Sequence, residues 1–501
     1  MDFIIHTPME LMLNASMEFI RNIPMEFVIN TLLLMAALFI TVIGTGVAFL
    51  VLVYLRDRLQ TKNAIHRNYP VLGHMRYILK EMGVFFRSYF FAADREELPF
   101  NRFQRDYVNS MADSQGGVIA FGSNYPLHAS GSIRFANSFY PTLEEDVLHV
   151  KKVTFGPDTA HPYTTESYFN ISGTSYGSMS GSAILALSAG AKMAGAWHNT
   201  GEGGFSPYHA AGGGDTVFQI GTANYGVRDE HGNLDYEKLA ALAQNPQIVM
   251  FEIKLSQGAK PGKGGILPAA KVTKTIAKTR GIAQGEDSIS PNRRQDVANA
   301  DDLVKLIKRV RKATQKPVGI KFVLGRPKDL DDLLEAFAHH QVFPSFITLD
   351  GADGGTGAAP AALMDHVGMT LNESLPVLMA NLEERNLRDT ILVCASGKLV
   401  TPAEIAWALS EGAVAVNSAR GPMFALGCIQ ALQCDKNTCP TGITTHRKRL
   451  ERGLDPKVKS HRVANYLTNT KKQVGYIAHA TGANCARSMR RDRVFRIGEN
   501  G

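Results

Sequence analysis

The chain reads as an α/β protein built on an eight-stranded parallel barrel and preceded by one N-terminal membrane-crossing helix. Three observations predict this. From about residue 165, short apolar runs alternate with helical patterns, as in repeated βαβ units. Glycine-rich, polar segments follow those runs, where a parallel barrel assembles its chemistry. Upstream, residues 27–55 carry no charged side chain.

The N-terminal segment, residues 1–26, holds Asp2, Glu10, Glu18 and Glu26 against a single Arg21. The uncharged run from Phe27 to Leu55 exceeds the roughly 20 apolar residues that a helix needs to cross a bilayer. Arg56, Arg58, Lys62 and Arg67 follow it, and the positive-inside rule puts that flank in the cytoplasm. A cleavable signal would have a shorter apolar region after a basic start, and this chain has neither. The expectation is a single-pass membrane protein with a cytoplasmic catalytic domain. Residues 56–164 form a membrane-proximal lead-in; the aromatic stretch Val84–Phe91 would lie against the main domain or on the membrane surface.

Candidate barrel strands are Tyr168–Ile171, Ala194–His198, Val217–Ile220, Ile248–Lys254, Val318–Val323, Phe346–Asp350, Ile391–Ala395 and Ala413–Asn417. Helical patterns at Asp301–Ala313, Leu330–His340, Ser374–Asn386 and Pro402–Gly412 separate several of them. A doubly wound open sheet is the alternative, but no G-x-G-x-x-G follows a first strand. The turns at Ser396-Gly397 and Asn417–Arg420 offer backbone N–H groups to a phosphate. Lys321 is a charge inside an apolar strand, so it should meet an anion or a flavin-like acceptor at the strand's mouth.

Cys428, Cys434 and Cys439 are spaced C-x5-C-x4-C in a chain with five cysteines. Three soft thiolates in one turn-rich stretch suit an iron–sulfur cluster, and three ligands suit a three-iron one. Zinc sites more often show C-x2-C pairs and a fourth ligand; Cys394 is far upstream and His446 is a weak candidate. The net charge of +8 arises from basic residues after the apolar run, around 445–461 and at 487–496. No nucleic-acid-binding motif accompanies them, so nucleic acid is not expected as a partner. Residues 451–501 read as a basic, partly helical and solvated C-terminal tail.

Residues from about 165 to 450 resemble the FMN-binding synthase domain of glutamate synthase. The resemblance rests on Asn199–Gly204 (N-T-G-E-G-G), Lys254–Gly265 (K-L-S-Q-G-A-K-P-G-K-G-G), Ser290-Pro291 with Asp296, Asp353–Gly357 (D-G-G-T-G) and the cysteine spacing followed by Pro-Thr-Gly. It implies a TIM barrel holding FMN beside a 3Fe–4S cluster on Cys428, Cys434 and Cys439. The implied reaction is reduction of the imine formed from 2-oxoglutarate and ammonia. By motif position, Lys260 and Arg280 would grip the 2-oxo acid and Glu202 would face the ammonia. Lys321 would lie near the flavin, Gly354, Gly355, Ser418 and Ala419 near its phosphate, and Gly173, Ser175, Gln257 and Gly397 would complete the cofactor site.

The chain departs from the family pattern at Ile266, where Gln is usual, at Lys263 in place of Glu, and at Ser290–Asp296, where S-P-P-P-H-H-D is reduced. A family Glu stands as Asp301. No glutaminase domain is expected, so ammonia would be free or come from a separate glutaminase. Electrons would arrive from ferredoxin or an NAD(P)H-oxidising subunit. Two alternatives are an N-methylglutamate synthase-like enzyme using methylamine and a membrane-tethered electron-transfer subunit.

Overall fold

A computed structural model describes residues 24–123, 125–146 and 150–498; the acidic segment before Pro24 lies outside them. The chain divides into two units, up to Pro99 and from Phe100 onward. In the first, the uncharged run forms the core of a 35-residue helix, Met25–Leu59, with Glu26 in its first turn and Arg56 and Arg58 in its last. Those charges complement the helix dipole. The apolar side chains face outward all round, Leu33 at 63% and Phe39 at 65% exposure. This is one helix long and apolar enough to cross a membrane. Two helices, Ala64–Asn68 and Leu72–Phe86, and a π-helical turn, Arg87–Phe91, follow it. Phe85, Phe90 and Phe91 are exposed.

The second unit is a closed eight-stranded barrel. Its strands are β1 (Phe169–Ile171), β2 (His198–Asn199), β3 (Thr216–Ile220), β4 (Ile248–Lys254), β5 (Val318–Phe322), β6 (Phe346–Asp350), β7 (Leu392–Ser396) and β8 (Ala415–Ser418). Each strand pairs in parallel with the next, and β8 closes on β1. Strands covered on both faces need near-continuous apolar sequence, which is why these runs were visible without structure. The second strand is the main correction: only His198 of the predicted Ala194–His198 pairs, because Gly195 adopts φ +62 in a tight turn. The predicted helices form at Ala300–Thr314, Pro327–His340, Leu371–Glu384 and Pro402–Ser410.

At the amino-terminal end, the hairpin Val153–Phe155 with Tyr163–Thr165 plugs the barrel. Phe155 packs edge-on against Trp197 at 5.7 Å and Phe346 at 5.6 Å. Cys394 is buried in the same cluster. Above it, Glu252 accepts hydrogen bonds from Asn199 (2.8 Å), Gln219 (2.7 Å) and Thr348 (2.6 Å). A buried carboxylate with three donors ties β2, β3, β4 and β6 into one polar layer below the site.

The basic C-terminal segment is not a solvated tail. Pro456–Ala480 is a 25-residue helix with Val463, Tyr466, Leu467, Thr470, Val474 and Ala478 buried. That i, i+3, i+4, i+7 spacing makes one apolar stripe, and Lys471 beside it donates to the Ala194 carbonyl at 2.9 Å. The helix packs on Gly181–Met193 and on the lead-in helix Arg102–Ala112. Tyr466 donates to the Val400 carbonyl at 2.8 Å. Beyond the helix, Val494–Arg496 pairs antiparallel with Ile133–Phe135, so the end of the chain closes on the lead-in.

Candidate active site

The carboxyl ends of the strands open into two adjoining cavities, one larger than the other. Gly173, Gln257, Gly355 and Ala419 line both, so the two form one elongated cleft. Ser175, Glu202, Lys260 and Arg280 line the larger cavity. Lys321, Gly354, Gly397 and Ser418 line the smaller one. Strands running in one direction deliver all their following loops to one face, which gathers residues as remote along the chain as Gly173 and Ala419.

The smaller cavity has a floor of backbone and small side chains. Gly397 sits at φ +130, and a Cβ on Gly355 would stand 2.8 Å from Arg420 Nε. A side chain at Gly355 would press on Arg420, and one at Gly397 on the Gly351 backbone. Lys321 Nζ lies 3.2 Å from Asp350 Oδ2, and both side chains are buried. Burial would push the ammonium's pKa down, but Asp350, with Glu252 behind it, raises it above the usual value. Asp350 Oδ2 also accepts the Gly258 N–H at 2.9 Å, pinning the loop that carries Lys260.

The larger cavity is strongly cationic: Lys254, Lys260, Lys271, Arg280 and Arg420 line it against Glu202 and Asp435. Lys254 Nζ donates to Glu202 Oε2 at 3.0 Å and to Gln257 Oε1 at 2.6 Å. Burial opposes the Glu202 charge, but Lys254, then Lys260 and Arg280, hold its carboxyl below the usual pKa. Arg280 is 4% exposed; its guanidinium donates to Ser288 Oγ and the Tyr176 carbonyl, each at 3.1 Å, and lies over the Tyr225 ring. Lys260 is 9% exposed and its Nζ has no hydrogen-bond or ion-pair partner among the described residues. Burial and the neighbouring Lys254 lower its pKa, against the pull of Glu202. An unpaired buried ammonium on a cavity wall is an anion receptor by elementary electrostatics.

All three clustered cysteines are free thiols, and Cys434 lines the larger cavity. Lys271 Nζ donates to the Cys434 carbonyl at 3.2 Å and to the Ser178 carbonyl at 3.1 Å. Burial holds its pKa down to about 8 against the attraction of Cys434, Cys439 and Asp435. Arg420 NH1 stands 3.9 Å from Cys434 Sγ. Two cations beside the thiols fit a ligand set whose metal-bound form carries net negative charge. Neither proposed extra ligand joins them: His446 Nε2 lies 2.7 Å from the Gly177 carbonyl, and Cys394 sits in the plug cluster.

Sequence reasoning missed Lys254, Lys271, Lys398 and Arg420. Lys254 carried a signal like that of Lys321, a lysine in a largely apolar strand, here at its end. Lys398 directly follows one turn singled out for phosphate, Arg420 ends the other, and both side chains line the smaller cavity. Lys271 has no local signature; only the fold brings it to the cysteines.

A closed α/β barrel with a glycine-floored, cationic cleft at its carboxyl face defines a TIM-barrel enzyme. The family model described as the conserved region in glutamate synthase matches residues 138–484. A glutamate synthase large subunit-like protein of Bacillus subtilis is 35% identical over 93% of this chain and 96% of its own length. An archaeal glutamate synthase [NADPH] of Methanocaldococcus jannaschii is 33% identical over 71% of this chain and 68% of its own. Among solved structures, a mandelate oxidase covers 78% of the chain with 16% identity and a TM-score of 0.44, too distant to add to the hydrogen-bonded topology. The chain belongs to the glutamate synthase family, whose enzymes are oxidoreductases acting on the CH–NH2 group of donors.

Proposed function

We propose that this chain is a membrane-anchored flavoprotein that reductively aminates 2-oxoglutarate, through 2-iminoglutarate, to glutamate. The observation that carries the reading is the free Lys260 ammonium in a cavity shared with Arg280, Glu202 and Cys434. FMN would be held along the cleft by Gly173, Ser175, Gln257 and Lys321, its phosphate toward Gly354, Gly355, Gly397, Ser418 and Ala419. When bound, FMN supplies the hydride that reduces the imine carbon. Cys428, Cys434 and Cys439 would hold a 3Fe–4S cluster, which offers one-electron relay. Lys260 and Arg280 grip the oxo acid's carboxylates, Arg280 through a guanidinium already oriented by Ser288 and Tyr176. Glu202, kept ionised by Lys254, draws the ammonium ion or amine to the same cavity.

Ile266 lines this cavity and is 54% exposed, an apolar wall that would suit the methyl group of methylamine and favours N-methylglutamate synthesis as the second reading. The donor would be ferredoxin or an NAD(P)H-oxidising subunit, and a separate glutaminase would supply ammonia where it is not free. The basic flank after the apolar helix would hold the barrel on the cytoplasmic side.

Detergent-solubilised protein is expected to show flavin absorbance and about three irons per chain, the stoichiometry of the cluster. Cys434→Ser is expected to lose iron while retaining flavin; unchanged iron would sink the ligand assignment. Oxo-acid affinity should also depend on pH. Anion binding needs the protonated Lys260, whose pKa is lowered. Affinity therefore holds at lower pH and weakens as pH rises through that pKa. Lys260→Arg should move this alkaline limb upward in a Kd-versus-pH profile; an unmoved limb assigns it to another group.

A further inference from the structure

A second cluster of chemistry-bearing side chains lies in the N-terminal unit. Asp57, near the end of Met25–Leu59, His66, in Ala64–Asn68, and His74, in Leu72–Phe86, bring one ligand atom each within 4.8 Å of one another. Asp57 is 2% exposed although the helix around it is bare. Its Oδ2 accepts the Val71 N–H at 2.9 Å, and His74 Nε2 stands 2.9 and 3.1 Å from its two oxygens.

The His66 ring stacks on His74 with centroids 3.9 Å apart, and Tyr77 meets it edge-on at 4.8 Å. Gly73 permits this approach, since a Cβ there would stand 3.2 Å from His66 Cδ2. His66 Nε2 is buried and has no hydrogen-bond partner among the described residues. Leaving such an atom unsatisfied costs about 1–3 kcal/mol. Here it is left so beside a carboxylate and a second imidazole.

We propose that Asp57, His66 and His74 form a binding site for one divalent transition-metal ion of the zinc type. Two imidazoles and one carboxylate favour such ions over calcium or magnesium. With metal–ligand distances of about 2.0–2.2 Å, tetrahedral ligand atoms lie roughly 3.3 Å apart. The His74–Asp57 spacing is already close to that, and the His66 ring, stacked on His74, completes the set by turning out of the stack to aim its nitrogen at the same point. Both imidazoles bind as neutral ligands, so the ion replaces any proton on His74 Nε2, which passes to water or to His74 Nδ1. Water would fill the fourth position. The ion would clamp the end of the apolar helix to the helix Leu72–Phe86, and this role is independent of the reaction in the barrel.

The test uses the full chain in detergent, stripped with a chelator and dialysed against zinc. Wild type is expected to retain one more zinc per chain than His66→Phe or His74→Phe, with zinc affinity at this site weakened at least ~100-fold in each variant. Phenylalanine keeps the ring stack and removes the ligand atom, and the barrel cysteines contribute equally to all three proteins. Cobalt(II) gives a second readout, a visible spectrum of nitrogen and oxygen ligation present in wild type and absent from both variants. Equal zinc content in the three proteins, or no cobalt difference, would overturn the site and leave an Asp57–His74 ion pair only.

Discussion

Lys260→Met is expected to lower oxo-acid-dependent turnover, as kcat/KM, by roughly 10²–10³-fold, the scale of removing one preorganised charge-stabilising donor. Methionine keeps the length of the side chain and removes the ammonium that has no partner among the described residues. Flavin content should stay unchanged, because Lys260 lines the larger cavity and not the smaller, glycine-floored one. The measurement is reoxidation of the reduced protein by 2-oxoglutarate with ammonia, and then with methylamine. Full turnover in the variant would remove Lys260 from the substrate site. A rate with methylamine well above that with ammonia in wild type would select the second reading.

Gly190→Val is expected to destabilise the barrel by about 3 kcal/mol or more, at the upper end for overpacking a close-packed contact. A Cβ at Gly190 would stand 2.7 Å from Val463 Cβ and 2.8 Å from the Ser460 carbonyl oxygen. The clash lies between the first barrel helix, Gly181–Met193, and the C-terminal helix, Pro456–Ala480. Ala189→Val, on the half-buried side of the same helix, should cost less than ~1 kcal/mol by the same reasoning. Denaturant midpoints of the two variants would separate a C-terminal helix that is part of the core from one that merely lies on it. Equal midpoints would refute the close contact.

The strands of the barrel were legible because parallel strands buried on both faces leave continuous apolar runs, and the loops because glycine clusters where backbone must approach a ligand. Strand β2 was misplaced because Ala194–Trp197 is as apolar as a strand, yet Gly195 turns the chain there. The C-terminal helix was read through its charge, while its apolar stripe of Val463, Tyr466, Leu467 and Val474 carried the structural information.

What this sequence determined by itself was local: the apolar span, the eight strand-and-loop units and the cysteine spacing, each written within a few neighbouring residues. Only the tertiary structure decided which charges share a space. It paired Lys254 with Glu202 and Lys321 with Asp350, left Lys260 without a partner among the described residues, and set Lys271 and Arg420 against the cysteines. The physical reason is that Coulomb interaction and desolvation depend on distance through folded space, and barrel closure brings together residues that are remote along the chain.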